Sequence, residues 1–216
     1  MGIHVFVDNS NILGGAQRCA QEKEPHVPWP ALRVYFRNLF ALLENGRERS
    51  SGIVGGSMPP GSEDLWTYAR ELGYNTDLLT KVQLDDGRLG EQGVDEVICL
   101  KMANCVLDFR TPQVMVVATG DGRVSDFGVG FVDQVERALS HDWRVEIYSW
   151  KAQTSGRLRD LCRRHPDSAV VIDLDPFYES LTFVKEGDYL LKTDAGSDVR
   201  MRLAPRIVSP LPNGPR

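Results

Sequence analysis

A chain of 216 residues with 42% apolar and 25% charged residues suits one α/β domain with a tail, and its composition excludes a disordered or fibrous protein. The formal net charge of −5 excludes a broadly basic coat for nucleic acid, but not an enzyme whose phosphate-binding groups are local. No apolar run approaches the ~20 residues that span a bilayer, so no membrane partner is expected. Met1 leads directly into an apolar strand without a basic leader segment, and Cys19, Cys99, Cys105 and Cys162 form no CxxC pair. Reduced thiols and an intracellular location, cytoplasm or nucleus, are the expectation.

In chain order, short β-rich runs alternate with helical patterns, which predicts a parallel sheet covered by helices on both faces. His4-Val5-Phe6-Val7 is the first strand and ends at Asp8. Residues 31–43 carry apolar side chains at helical spacing, with Trp29 as a staple at the helix start. Residues 51–54 form a second strand, closed by Gly55-Gly56-Ser57-Met58-Pro59-Pro60-Gly61. A helix over 63–72 stops at Gly73, a third strand covers 75–80, and the polar stretch 81–93 reads as a surface loop. Residues 94–109 are helical, Val114–Ala118 is the clearest strand, and 131–139 is a helix. A strand over 145–150, a helix over 155–165 and a strand over 169–174 complete the pattern. The expected domain is 1–185, followed by a C-terminal tail, 186–216, of uncertain order.

Two strands end alike. Val5-Phe6-Val7 runs into Asp8-Asn9-Ser10-Asn11, and Val116-Val117-Ala118 into Thr119-Gly120-Asp121-Gly122. In a parallel sheet both carboxylates sit at the carboxyl end, where such folds bind ligands. Asp95 opens the long helix at that same end. Carboxylates converging on one spot repel and raise one another's pKa unless a cation neutralises them. Oxygen donors without His or Cys call for Mg²⁺ or Mn²⁺, which supplies the chemistry of phosphodiester hydrolysis. Asn11 would orient a ligating carboxylate or a bound water. Each acid alone has a plain reading as a helix cap or dipole partner; it is the ordered set that points to a site.

These stretches resemble the three acidic motifs of NYN domains, in the PIN-like nuclease superfamily: Val7-Asp8-Asn9-Ser10-Asn11, Gly93-Val94-Asp95 and Ala118-Thr119-Gly120-Asp121. Gly56-Ser57-Met58-Pro59-Pro60, Glu71-Leu72-Gly73-Tyr74, Glu91-Gln92-Gly93-Val94-Asp95-Glu96, Gly130-Phe131, Val135-Glu136-Arg137-Ala138-Leu139 and Leu174-Asp175 with Phe177 are similar to one branch of that family, largely uncharacterised fungal proteins. The resemblance covers roughly residues 3–181. It implies a three-layer α/β/α sandwich and a metal-dependent ribonuclease, with Asp8, Asn11, Asp95 and Asp121 catalytic. Asp8, Asp95 and Asp121, with Asp126 as a further candidate ligand, would hold Mg²⁺ or Mn²⁺. Two positions depart from the family pattern. Lys101 stands where many members have an Asp, and Arg123 follows Gly122 where many have a further Asp, which Asp126 replaces. Ser10, Ser57, Lys101, Arg123 and Ser155 are the candidates for contacts to RNA, single-stranded or structured.

The departures keep open a domain that holds RNA or a protein partner without cutting, and a homo-oligomer is compatible with everything above. Arg157, Arg159, Arg163 and Arg164 read as a solvated helix face or an RNA contact. Cys162 and His165 lack the second ligand pair a zinc site needs. An adhesion domain of the von Willebrand A type would need DxSxS, but Ile12 fills the last position. A haloacid-dehalogenase phosphatase would need DxD, and Ser10 stands there. Residues 9–13 provide no glycine-rich dinucleotide turn.

Overall fold

The first strand, β1 (Ile3–Asp8), is buried along its whole length, which requires helices on both sides of it. Alternation along the strand divides its side chains between two apolar layers. Ile3, Val5 and Val7 join one core cluster, and Phe6 joins a second. The computed structural model describes residues 2–57, 63–79, 82–83, 89–90, 93–123, 129–192 and 198–212. After β1 come α1 (Asn9–Lys23), β2 (Leu32–Val34), α2 (Phe36–Glu44), β3 (Arg49–Ser57), α3 (Glu63–Glu71) and β4 (Asn75–Leu79). Then follow β5 (Val82–Gln83), β6 (Leu89–Gly90), α4 (Val94–Asp108), β7 (Val114–Ala118), α5 (Phe131–Ser140), β8 (Arg144–Ser149) and α6 (Gly156–Arg164). The chain continues through β9 (Ala169–Asp173), a 3₁₀ turn (Asp175–Phe177), α7 (Tyr178–Leu181), β10 (Thr182–Val184), β11 (Gly187–Lys192) and β12 (Asp198–Leu203).

The main sheet has six strands in the order β4-β3-β1-β7-β8-β9, and every neighbouring pair is parallel. Residues of α1, α2 and α3 cover one face, with Ile12, Ala16, Leu39, Leu43, Trp66 and Ala69 in its core. Those of α4, α5 and α6 cover the other, with Ile98, Met102, Val135, Ala138, Leu158 and Leu161. This is the expected three-layer α/β/α sandwich. The strand order reverses between β1 and β7, so the chain leaves β1 in one direction along the sheet and β7 in the other. Connections diverge there, and a crevice opens beyond the carboxyl ends of both strands.

Several elements differ from the expectations. Residues 9–23 form α1, which the Gly14-Gly15 pair and many polar residues concealed. Gly15 is the contact point with the sheet: a Cβ there would lie 2.3 Å from Trp150 Cδ1. Residues 32–34 are not the first turn of a helix but a strand paired with β10. Their buried–exposed–buried pattern has period two, so Trp29, half exposed, staples no helix. The stretch 81–93 contains the pairing Val82↔Gly90 and Gln83↔Leu89. Beyond residue 186, β11 and β12 form an antiparallel hairpin.

The C-terminal chain is also pinned to the body. Arg206 pairs with Glu24 at 2.9 Å and donates to Thr182 O at 2.9 Å, while Ser180 donates to Pro210 O at 2.8 Å. Trp66, Trp143 and Trp150 are core residues. All four cysteines are buried and none forms a disulfide. Among the described residues no helix is long and apolar enough to cross a membrane.

Candidate active site at the strand-order switch

Asp8 is the last residue of β1 and the N-cap of α1. Its Oδ1 accepts the Asn11 N–H at 3.0 Å, and its Oδ2 accepts the Thr119 hydroxyl at 3.0 Å. Asn11 in turn accepts the Gly120 N–H on its Oδ1 at 2.8 Å. The loops after β1 and β7 are thus tied together by side chains across the switch point. Asp121 donates its N–H to Thr119 Oγ1 at 3.2 Å and accepts the Arg123 N–H at 2.8 Å. The loop also leans on α6, since Ser155 N–H donates to Gly120 O at 2.9 Å. Gly122 is required by that approach: a Cβ would stand 2.0 Å from Ser155 Oγ.

Asp8 is 4% exposed, and its pKa is pushed up to about 7. Burial is the largest cause, followed by the negative charge of Asp95. Hydrogen bonds from the Asn11 N–H and the Thr119 hydroxyl oppose the rise, and Asp121 adds to it. Both charged side chains acting on Asp8 are therefore carboxylates, and the three expected acids share one electrostatic field. Asp95 reaches it from the first turn of α4.

Beside the acids lies an open cleft of about 450 Å³, lined by Asn11, Arg18, Gly120, Asp121, Gly122, Arg123, Gln153 and Ser155. Gln153 Oε1 is buried without a hydrogen-bond partner. Two arginines, two amide residues and Ser155, the N-cap of α6, line one cavity, a composition suited to anionic oxygens.

The expected site residues fall into three groups. Asp8, Asn11 and Asp121 are joined directly or through Thr119. Arg123 and Ser155 line the adjoining cleft, where Ser155 caps α6 by accepting the Arg157 N–H at 3.2 Å. Ser10 lies in the first turn of α1, and Ser57 ends β3 at the same edge of the sheet. Lys101 sits about a turn and a half along α4 from Asp95. Asp126 lies outside the described residues. The arginines of α6 have intramolecular acceptors: Arg157 on Gly122 O at 3.2 Å, Arg159 on Lys151 O at 2.6 Å, Arg163 on Asp160 and Arg164 on Glu136 at 2.9 Å.

Thr119, Arg18 and Gln153 were not anticipated. Thr119 stood inside the Ala118-Thr119-Gly120-Asp121 motif, whereas Arg18 and Gln153 had no signal, because only the packing of α1 against the turn that follows β8 brings them together. A divalent ion fits this site by charge and by donor type. Coordination is another matter: among the described residues no three His, Cys, Asp or Glu side chains are gathered closely enough to hold one. Both oxygens of Asp8 are engaged by hydrogen bonds instead.

No protein-family model matches the chain, and no curated protein does. A crystal structure of a protein of unknown function from Vibrio parahaemolyticus is similar at 21% identity and a TM-score of 0.54, covering 81% of this chain and 94% of that one. At that identity the likeness establishes the fold alone.

Proposed function

We propose that this chain is a metal-dependent ribonuclease of the NYN type, cutting RNA at the carboxyl ends of β1 and β7. One observation carries the reading: Asp8 is buried at the strand-order switch with a pKa raised to about 7 by burial and by Asp95 and Asp121. Placing carboxylates together without a counter-charge is unfavourable, and it persists where a ligand supplies that charge. Asp8, Asp95 and Asp121 would hold Mg²⁺ or Mn²⁺, which supplies a water of lowered pKa and neutralises charge on the phosphate. The chain's own groups then position the substrate. Arg18 and Arg123 take phosphate oxygens of the strand, and Asn11 and Gln153 offer amides to them. Asn11 also fixes Gly120, and with it the loop that carries Asp121.

A second reading, an RNA-binding module that does not cut, is favoured by the absence of a gathered ligand triad among the described residues and by Arg123 in place of an acid. An intracellular location, cytoplasm or nucleus, belongs to either reading and is supported by the four buried, unbridged thiols. Incubation with labelled single- and double-stranded RNA in Mn²⁺, Mg²⁺ or EDTA separates the two. The nuclease reading expects cleavage with metal that EDTA and Asp8→Asn both abolish. Binding without cleavage under every condition establishes the module, and neither binding nor cleavage defeats both.

A further inference from the structure

Trp29 is the one tryptophan at the surface. It is 51% exposed, whereas Trp66, Trp143 and Trp150 are buried. Among the described residues no other ring and no cation stacks on it. A single exposed apolar side chain is ordinary; Trp29 is set apart by its bracing and its position. Pro28 and Pro30 flank it, and a following proline restricts its backbone to extended conformations. Ala31 N–H donates to Pro28 O at 2.9 Å, and Arg33 donates to Pro30 O at 2.5 Å. The loop that presents the indole is therefore braced, and little backbone freedom remains to be lost on contact.

The position is set by α1. Gln17 Nε2 donates to Trp29 O at 3.4 Å, and the next residue, Arg18, lines the cleft beside the acids. Asn11, also in that lining, is six residues before Gln17, about 9 Å along the helix. Between them Gly14 leaves the helix without a side chain: the nearest atom beyond the helix, Gln153 Nε2, would stand 3.7 Å from a Cβ placed there. Charge points the same way. Helix first turns favour acids, yet α1 has none there, and its first acid is Glu22 in a chain with 30 acidic residues. The surface of α1 from the cleft to Trp29 is thus neutral or basic, as a phosphate backbone requires. We infer that Trp29 stacks an unpaired base of a strand that runs from the cleft along α1, so that the RNA this chain takes is single-stranded. Duplex RNA would not serve, because its bases already stack on both faces. Such a contact tolerates any sequence, since every base has a π-face. The inference rests on the ribonuclease reading for the identity of the ligand, and adds the form of the RNA and the residue that selects it.

Equilibrium binding of a short fluorescein-labelled single-stranded RNA to the full chain in EDTA tests it, with the same sequence as a duplex for comparison. Trp29→Ala should weaken single-strand binding roughly 5- to 100-fold, and Trp29→Phe should retain most of the affinity. Thermal unfolding of both variants should match the wild type, because the side chain is exposed. The slope of log affinity against log salt should be unchanged in Trp29→Ala but fall by about 0.7 in Arg18→Ala, which removes a phosphate contact instead. Single-stranded RNA should also shield the protein from acrylamide quenching, a signal that Trp29 dominates because the other three tryptophans are buried. A wild type that binds or cleaves single-stranded RNA, with Trp29→Ala doing so equally well, overturns the inference and leaves the ribonuclease reading standing. Duplex binding that depends on Trp29 to the same degree also overturns it. A wild type that neither binds nor cleaves RNA, in Mn²⁺ or in EDTA, overturns both.

Discussion

Asp8 serves as helix cap and as the centre of the acid cluster, and the two roles pull its protonation in opposite directions. Hydrogen bonds from the Asn11 N–H and Thr119 favour the carboxylate, while burial and the neighbouring acids favour the neutral acid and prevail. With a pKa near 7 in the fold against 3.8 in the free side chain, the native state holds a proton that the unfolded chain has released. Stability is then greatest below about pH 4 as far as this group is concerned, falls as pH rises to about 7, and levels off beyond. The largest loss this implies is roughly 4 kcal/mol, and structural relaxation reduces it. Urea unfolding in EDTA should show wild type losing about 1–4 kcal/mol more than Asp8→Asn between pH 4 and pH 8. Asn remains a competent N-cap, so parallel pH profiles in the two proteins would contradict this electrostatic account. Asp8 and Asp121 were legible in the sequence because each closes an apolar strand. Their shared partner Thr119 and the cleft residues Arg18 and Gln153 were less so, since their roles depend on distances between elements.

Among the elements, α1 is fixed near its N-terminal end by Trp150 and at its C-cap by the C-terminal segment. The Trp150 ring lies against Gly15, and its Nε1–H donates to Ile12 O at 2.9 Å. Gly15→Ala improves helix propensity by up to ~1 kcal/mol but drives a methyl group into a buried indole, an overpacking that typically costs about 1–3 kcal/mol. A net loss of about 1–2 kcal/mol is expected in urea unfolding; a neutral or stabilised variant would show that α1 can shift freely. Arg206 joins the C-terminal segment to Glu24 and Thr182 with charged hydrogen bonds, both partners of the ion pair being mostly buried. Arg206→Ala should lower stability by about 1–3 kcal/mol, and Glu24→Gln should add little to it if the two act as a pair. Fully additive losses in the double-mutant cycle would refute the coupling. The sequence revealed the long apolar strands and α2 to α6 because single elements carried each period. It misled at 31–43, where two adjacent elements mimicked one helical spacing, and at α1, where glycine serves packing. The alternation of Val199, Met201 and Leu203 with arginines was a legible strand signal lost in polar surroundings.

For the whole molecule, the decisive property is a strand order that no single stretch of sequence encodes. The alternation of strand and helix predicted the three layers, but β1 and β7 become neighbours only through long-range pairing. That pairing places Asp8 and Asp121 on either side of the switch, with α4 delivering Asp95. The central claim is that these acids form a cation site, so the most direct test is calorimetric titration of Mn²⁺ into the metal-free protein near pH 7, in two buffers of different ionisation enthalpy. Ligation requires the deprotonated carboxylate, and burial with the neighbouring acids raises the Asp8 pKa to about 7. Saturable binding should therefore release protons, and Asp8→Asn should bind no ion at the same concentrations. Binding of equal strength in wild type and Asp8→Asn, or no binding by the wild type at millimolar Mn²⁺, would contradict the account.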